Sequence, residues 1–114
     1  MTITEATQAT TIAQLNDRFR QGDHTLGQVY TTQLVQGLSS EEQQELFRLV
    51  RTFDDFNLSN DPRGEHNFGR IKFKGEVFNF KIDYYSPDLI HGSEDPEDLT
   101  ITIRVLTLMH SSEY

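Results

Sequence analysis

Between Phe68 and Ile82 the chain reads FGRIKFKGEVFNFKI, an alternation of apolar and polar residues about a Lys74-Gly75 pair that leaves few ways to fold. Period-two patterning belongs to strands with one buried face, and a two-residue centre containing glycine suits a tight hairpin turn. Setting that turn fixes the register: Phe73 faces Glu76, Ile71 faces Phe78 and Gly69 faces Phe80. One side then carries Ile71, Phe73, Phe78, Phe80 and Ile82, with Gly69 leaving room for the ring of Phe80. The other side carries Arg70, Lys72, Lys74, Asn79 and Lys81. An apolar hairpin face needs a cover, which predicts helices packed on it. Continued past Phe68, the same register sets His66 opposite Asp83.

The cover is legible upstream. Ile12, Leu15 and Phe19 recur at helical spacing behind Thr10 or Thr11 as a cap, with Gly22 placed to stop the helix, so a helix is expected over 11–21. Ser39-Ser40-Glu41-Glu42-Gln43 opens a second, over about 40–55, through a capping box of Ser39 with Glu42 or of Ser40 with Gln43, and Leu46, Leu49, Val50 and Phe53 line one face of it. Residues 27–35, with Val29, Tyr30, Thr31 and Thr32, read as a strand. Asn57 to Gly64 is a turn-rich loop. A polar loop from Tyr84 to Asp98, holding Asp88, Glu94, Asp95, Glu97 and Asp98, leads to a last strand in which Leu99, Ile101, Ile103 and Val105 alternate with Thr100, Thr102 and Arg104. Leu106, Leu108 and Met109 then break the alternation, which suggests a central strand buried on both faces. The expected fold is α+β, with two helices on one face of a roughly four-stranded antiparallel sheet, in the order α-β-α-β-β-β. Residues 1–10 are expected to be a flexible N-terminus and 11–114 a single domain.

At 114 residues there is room for one domain and no second. The absence of cysteine excludes disulfides, thiolate zinc sites and thiol nucleophiles, and fits a reducing cytoplasm. The first residues, MTITEATQATTIAQ, have neither the basic region nor the apolar run of a secretion signal, and no later stretch is apolar enough to span a membrane. A formal charge of −8 repels phosphate backbones, so direct nucleic-acid binding is disfavoured and another protein is the expected partner. The chain itself is expected to be a monomer or homodimer.

No catalytic or cofactor spacing is present, so the candidate chemistry rests on the hairpin register. His66, Asp83 and Glu65 form the sharpest constellation, since a carboxylate opposite an imidazole orients it as a general base needs. Asp61 or Glu65 could complete a metal site with His66. The bland alternative, which carries more weight, is that Asn60, Asp61 and His66 satisfy loop backbone while Asp83 ends its strand. The basic stripe of Arg70, Lys72, Lys74 and Lys81 could grip an acidic partner or a phosphate, yet period-two basic residues on a hairpin are more often the wet side of a half-buried sheet. The acidic loop 88–98 lacks the spacing of a calcium loop. Tyr84 and Tyr85 point to opposite sides of their strand, one toward the core and one toward the surface near Asp61 and His66. Asn60, Asp61, Arg70, Lys81, Tyr84 and Tyr85 are therefore the candidate binding residues, and no cofactor is expected.

The runs Leu15-Asn16-Asp17-x-Phe19-Arg20, Phe53-Asp54-Asp55-Phe56, Asn60-Asp61-Pro62-x-Gly64-Glu65-His66-x-Phe68-Gly69, Lys81-Ile82-Asp83-Tyr84-Tyr85, Gly92-Ser93-x-Asp95-Pro96 and Thr102-x-Arg104-Val105-Leu106-Thr107 give the chain a resemblance to the DUF3768 family of small bacterial proteins. Members are frequent on plasmids and other mobile elements, so the resemblance implies an accessory role such as maintenance, anti-restriction or defence evasion. It implies no activity, cofactor or catalytic residue. Taken with the residues, it favours a non-enzymatic binding or regulatory protein over the alternative, a small metal-dependent or His/Asp hydrolase centred on His66 and Asp83.

Overall fold

The hairpin anchors the architecture. A computed structural model describes the backbone from Ile3 to Tyr114 and side chains from Thr10 onward. Its elements are α1 (Ile3–Arg20), a 3-10 turn at His24–Leu26, β1 (Gly27–Thr31), α2 (Gln33–Gln36), α3 (Ser40–Thr52), β2 (Phe68–Phe73), β3 (Glu76–Tyr85), β4 (Ile103–His110) and a closing 3-10 turn at Ser111–Glu113. β2 and β3 pair in the expected register, Phe73 with Glu76, Ile71 with Phe78 and Gly69 with Phe80. Lys74 and Gly75 both take positive φ in the turn. A β-carbon on Gly69 would stand 2.3 Å from Phe80 Cε1 and 2.8 Å from Phe53 Cε1, so these two rings occupy the space the glycine leaves.

The four strands run in the order β1-β4-β3-β2. β4 is one of the two inner strands, antiparallel to β3 and parallel to β1. The sheet is thus mixed, where an antiparallel one was expected. Residue patterning reports which side of a strand is buried and not which way the strand runs, so the direction of β1 had no signature. Gly27 lies so close to β4 that a β-carbon there would fall 1.9 Å from the carbonyl oxygen of Arg104.

Alternate residues of β2, β3 and β4 (Ile71, Phe78, Phe80, Ile82, Leu106 and Leu108) join Leu15 and Phe19 of α1, Val35 of α2 and Leu46 and Val50 of α3 in one core. Both long helices therefore cover the same face of the sheet. α3 starts with the capping box of Ser39 and Glu42, each side chain bonded to the other's amide. It stops at Thr52, leaving Asp54 and Asp55 beyond its negative end, where carboxylates are better tolerated.

Three expected boundaries differ. α1 begins at Ile3 rather than near residue 11, in a stretch with no glycine or proline to halt elongation; residues 1 and 2 of the expected flexible terminus lie outside the described residues. The strand expected over 27–35 ends at Thr31 and gives way to the single turn of α2, where Glu113 accepts bonds from the Thr32 hydroxyl (2.5 Å) and the Leu34 amide (3.1 Å). β4 begins at Ile103, not Leu99, because residues 95–102 are tied up in turns that Asp95, Asp98 and Thr102 bond together, and Leu99 and Ile101 are exposed. No helix among the described residues is long and apolar enough to cross a membrane.

Candidate functional site

Where α1, the loop 53–66 and the ends of β3 and β4 meet, the polar residues of the molecule converge in two layers. The inner layer centres on Arg104, fully buried on the core side of β4. Its Nε donates to Asn16 Oδ1 at 2.7 Å and a terminal nitrogen donates to the Pro96 carbonyl at 2.8 Å, while its guanidinium lies 5.3 Å from the centre of the Tyr84 ring. Asn16, equally buried, donates to the Glu65 carbonyl at 2.9 Å and to the Tyr84 hydroxyl at 2.8 Å. The Tyr84 hydroxyl passes its own hydrogen to Glu65 Oε1 at 2.9 Å. Burial pushes the Tyr84 hydroxyl far above its ordinary range; the Asn16 bond opposes this and the Glu65 charge adds to it. Burial likewise pulls the Arg104 guanidinium below its usual value, against the pull of Tyr84 and Glu65. One guanidinium, one amide, one phenol and one carboxylate thus bind α1, β3, β4 and the loop into one unit.

The outer layer opens to solvent. His66 adopts φ +57, a left-handed conformation uncommon for a residue with a β-carbon. Asp61 stabilises this bend by accepting the amides of Glu65 (3.0 Å) and His66 (3.1 Å) on its two oxygens. The ring then lies flat on Phe56, centroids 4.0 Å apart and planes 4° apart. Its Nδ1 stands 3.0 Å from Asp17 Oδ1, and its Nε2 is 3.9 Å from Asp61 Oδ2. Asp17 also pairs at 2.7 Å with Arg20, whose other terminal nitrogen donates to the carbonyls of Val50, Arg51 and Phe53. Arg20 therefore closes the C-terminal end of α3, where a cation suits the exposed carbonyls, and lies between the rings of Phe56 and Phe80.

Asp17, Arg20, Gln21, Arg51, Asp54 and His66 help line a cleft of about 460 Å³ beside this layer. A larger groove of about 700 Å³ lies over β1, floored by Phe19, Val29, Val50 and Leu106. We place the candidate site in the smaller cleft, because the charged groups and the stacked imidazole are there, and volume alone carries no chemistry.

The expected residues are dispersed differently from the register argument. His66 faces Asp17, and Asp83 instead pairs with Lys81 at 3.2 Å on the other side of the sheet. The ladder does continue one step beyond Phe68, as Ile82 donates to the Asn67 carbonyl at 2.8 Å, but the left-handed bend at His66 turns the chain out of it. Glu65 belongs to the inner layer. Asn60 bonds its own loop, accepting from the Asn57 amide and donating to the Asp55 carbonyl. Of the two tyrosines, Tyr84 is the core-side residue and the one near His66; Tyr85 shares the outer side of β3 with Lys81 and Asp83. Arg70 stands exposed on that same outer side, whereas Lys74 leaves the basic stripe to pair with Glu42 of α3 at 3.0 Å. No group of three or more potential metal ligands exists among the described residues.

Sequence reasoning gave no role to Asn16, Asp17, Arg20, Phe56 or Arg104. All five fall within the runs on which the family resemblance rests, and that was the available signal. Residues 31–113 match the family described as protein of unknown function DUF3768, and the chain belongs to it. No curated protein and no solved structure matches the chain. The matched span begins after α1, so Asn16, Asp17 and Arg20 enter the site from outside it.

Proposed function

We propose that this is a non-enzymatic binding or regulatory protein of the cytoplasm, an accessory factor of a mobile element that acts by contact with another protein, for example in anti-restriction or defence evasion. The observation that carries the reading is the commitment of the ionisable groups around the cleft. Asp61 is spent on two amides, Glu65 on Tyr84, and Arg20 on the end of α3. The hydroxyl lining the cleft, that of Thr52, donates to the Arg48 carbonyl and not to His66. What the cleft offers a partner is a fixed surface: an imidazole stacked on Phe56, the Asp17 carboxylate and the exposed Asp54. Such rigid aromatic and charged groups around a pocket are what a partner's anchoring side chain needs. The resemblance supports the mobile-element setting, and the charge of −8 supports a protein partner over nucleic acid.

The test is affinity capture from a bacterial host with the wild-type chain and with Asp54→Arg and Phe56→Ala. A protein retained by the wild type and lost with both variants supports the reading. Retention by all three places recognition elsewhere.

One observation favours a second reading, a small hydrolase. Asp17 at Nδ1 orients the imidazole and leaves Nε2 as the nitrogen able to take a proton from water, with Asp17 in the role expected of Asp83. Hydrolysis of simple esters or phosphodiesters that disappears in His66→Gln would favour it over binding.

A further inference from the structure

We infer that β1 is a pairing edge for a second copy of this chain, the two β1 strands joining antiparallel across a two-fold axis at Val29 to make one continuous eight-stranded sheet. The two edges of the sheet are built differently. β2, at one edge, exposes Arg70 and Lys72, the charges that commonly keep an edge from pairing. β1, at the other, reads Gly-Gln-Val-Tyr-Thr, with neither charge nor proline. Because the Thr32 amide donates inward to the Leu108 carbonyl, strand alternation turns the main-chain groups of Gly27, Val29 and Thr31 away from β4. Gln36 covers the Thr31 carbonyl from its side chain, and that is the edge's own protection.

The strand is complementary to itself. With the axis at Val29, the two Val29 residues exchange both main-chain hydrogen bonds, and each Thr31 amide meets the opposite Gly27 carbonyl. Gln28 then lies across from Tyr30 of the other copy, the same two side chains that already bond within one chain. No like charges meet, which matters for a molecule of charge −8. The surroundings extend the contact. Val29, Tyr30 and Leu34 are 37%, 52% and 49% exposed, and the second Val29 would sit at the mouth of the groove of about 700 Å³ that Val29, Phe47 and Leu106 help line. A stable interface buries roughly 800 Å² per partner, more than a five-residue strand supplies, and the groove rim and Leu34 are the surface available to make up the difference. The inference uses none of Asp17, Asp54, Phe56 or His66, and stands whether or not the cleft binds a partner.

The absence of native cysteine makes the test clean. Hydrogen-bonded antiparallel residues have α-carbons about 5.5 Å apart, inside the range a disulfide spans, so Val29→Cys should cross-link to a covalent dimer under mild oxidation, while Ile90→Cys, on an exposed loop, should do so only at the background rate. Light scattering should give the wild type twice its chain mass of 13.2 kDa. Val29→Lys, with an unchanged circular dichroism spectrum, should weaken self-association at least roughly ten-fold by setting two ammonium groups on the axis. A wild type that stays monomeric at high concentration overturns the inference, including the case in which β1 instead accepts an extended peptide from another protein. So does a dimer in which Val29→Cys cross-links no faster than Ile90→Cys.

Discussion

Arg104 and Asn16 stand 88 residues apart in the chain, yet their side chains meet at 2.7 Å, both out of reach of solvent. Among the described residues the guanidinium touches no carboxylate directly; its charge is balanced through Asn16 and Tyr84 by Glu65. Removing the amide leaves a buried cation and a partly buried phenol each short of a partner, and that cost exceeds the value of the bond itself. Asn16→Ala should therefore lower unfolding stability by about 3 kcal/mol, whereas an exposed control such as Gln14→Ala should change it by less than about 0.5 kcal/mol. Urea melts of the two variants decide the matter, and equal midpoints would show that the network contributes little.

Gly69 offers a test by addition. With Phe80 Cε1 2.3 Å and Phe53 Cε1 2.8 Å from where a β-carbon would stand, Gly69→Ala must displace two packed rings. The expected loss is about 1–3 kcal/mol, and the double variant Gly69→Ala with Phe80→Leu should recover part of it. Thermal melts of the single and double variants measure the recovery.

The pairing of His66 with Asp17 rather than Asp83 is checked by nitrogen NMR of the imidazole. Asp17→Asn should move the ring nitrogen shifts of His66, because its Nδ1 partner changes from a carboxylate to an amide. Asp83→Asn should leave them in place, since that carboxylate faces Lys81. Equal effects from the two substitutions would return the site to the hairpin register.

The start of α3 should be sensitive to acid in a defined direction. The Ser39 amide, and after it Lys74, hold the Glu42 carboxyl below its ordinary 4.5. A carboxyl whose folded pKa is depressed adds stability that is fully present above the unfolded value and is lost as the pH falls through the folded one. The stability gap between wild type and Glu42→Gln should accordingly be present at neutral pH and close as the pH drops below 4.5. Ser39→Ala, which removes the other half of the box, should cost about 1 kcal/mol at neutral pH. A gap indifferent to pH would mean that the carboxylate charge plays no part.

The hairpin was legible because a two-residue turn leaves the register no freedom, and every pair from Phe73–Glu76 to Gly69–Phe80 follows from it. The start of α3 was legible because capping is local chemistry. The site was not. His66 leaves the ladder one residue past the point where period-two reasoning holds, and its partner comes from a helix 49 positions earlier, with no periodic relation to link them. Arg104 looked like an outward residue because a charged side chain in an alternating strand normally faces water. It faces the core because Asn16, Tyr84 and the Pro96 carbonyl receive it there. Direction was equally silent: the letters of β1 are the same whichever way it runs beside β4.

The parallel union of β1 with β4 bears on the order of folding. The hairpin, β4 and α3 come from a late, contiguous part of the chain, whereas Gly27 must find Arg104 across about two-thirds of the sequence. Closing so long a loop is entropically costly and slow, so α1 and β1 are expected to dock last and to be the first to detach under stress. Asn16, Asp17 and Arg20 travel with that segment. The cleft would then vanish in a partly open state that still keeps its hairpin, so that loss of recognition precedes global melting.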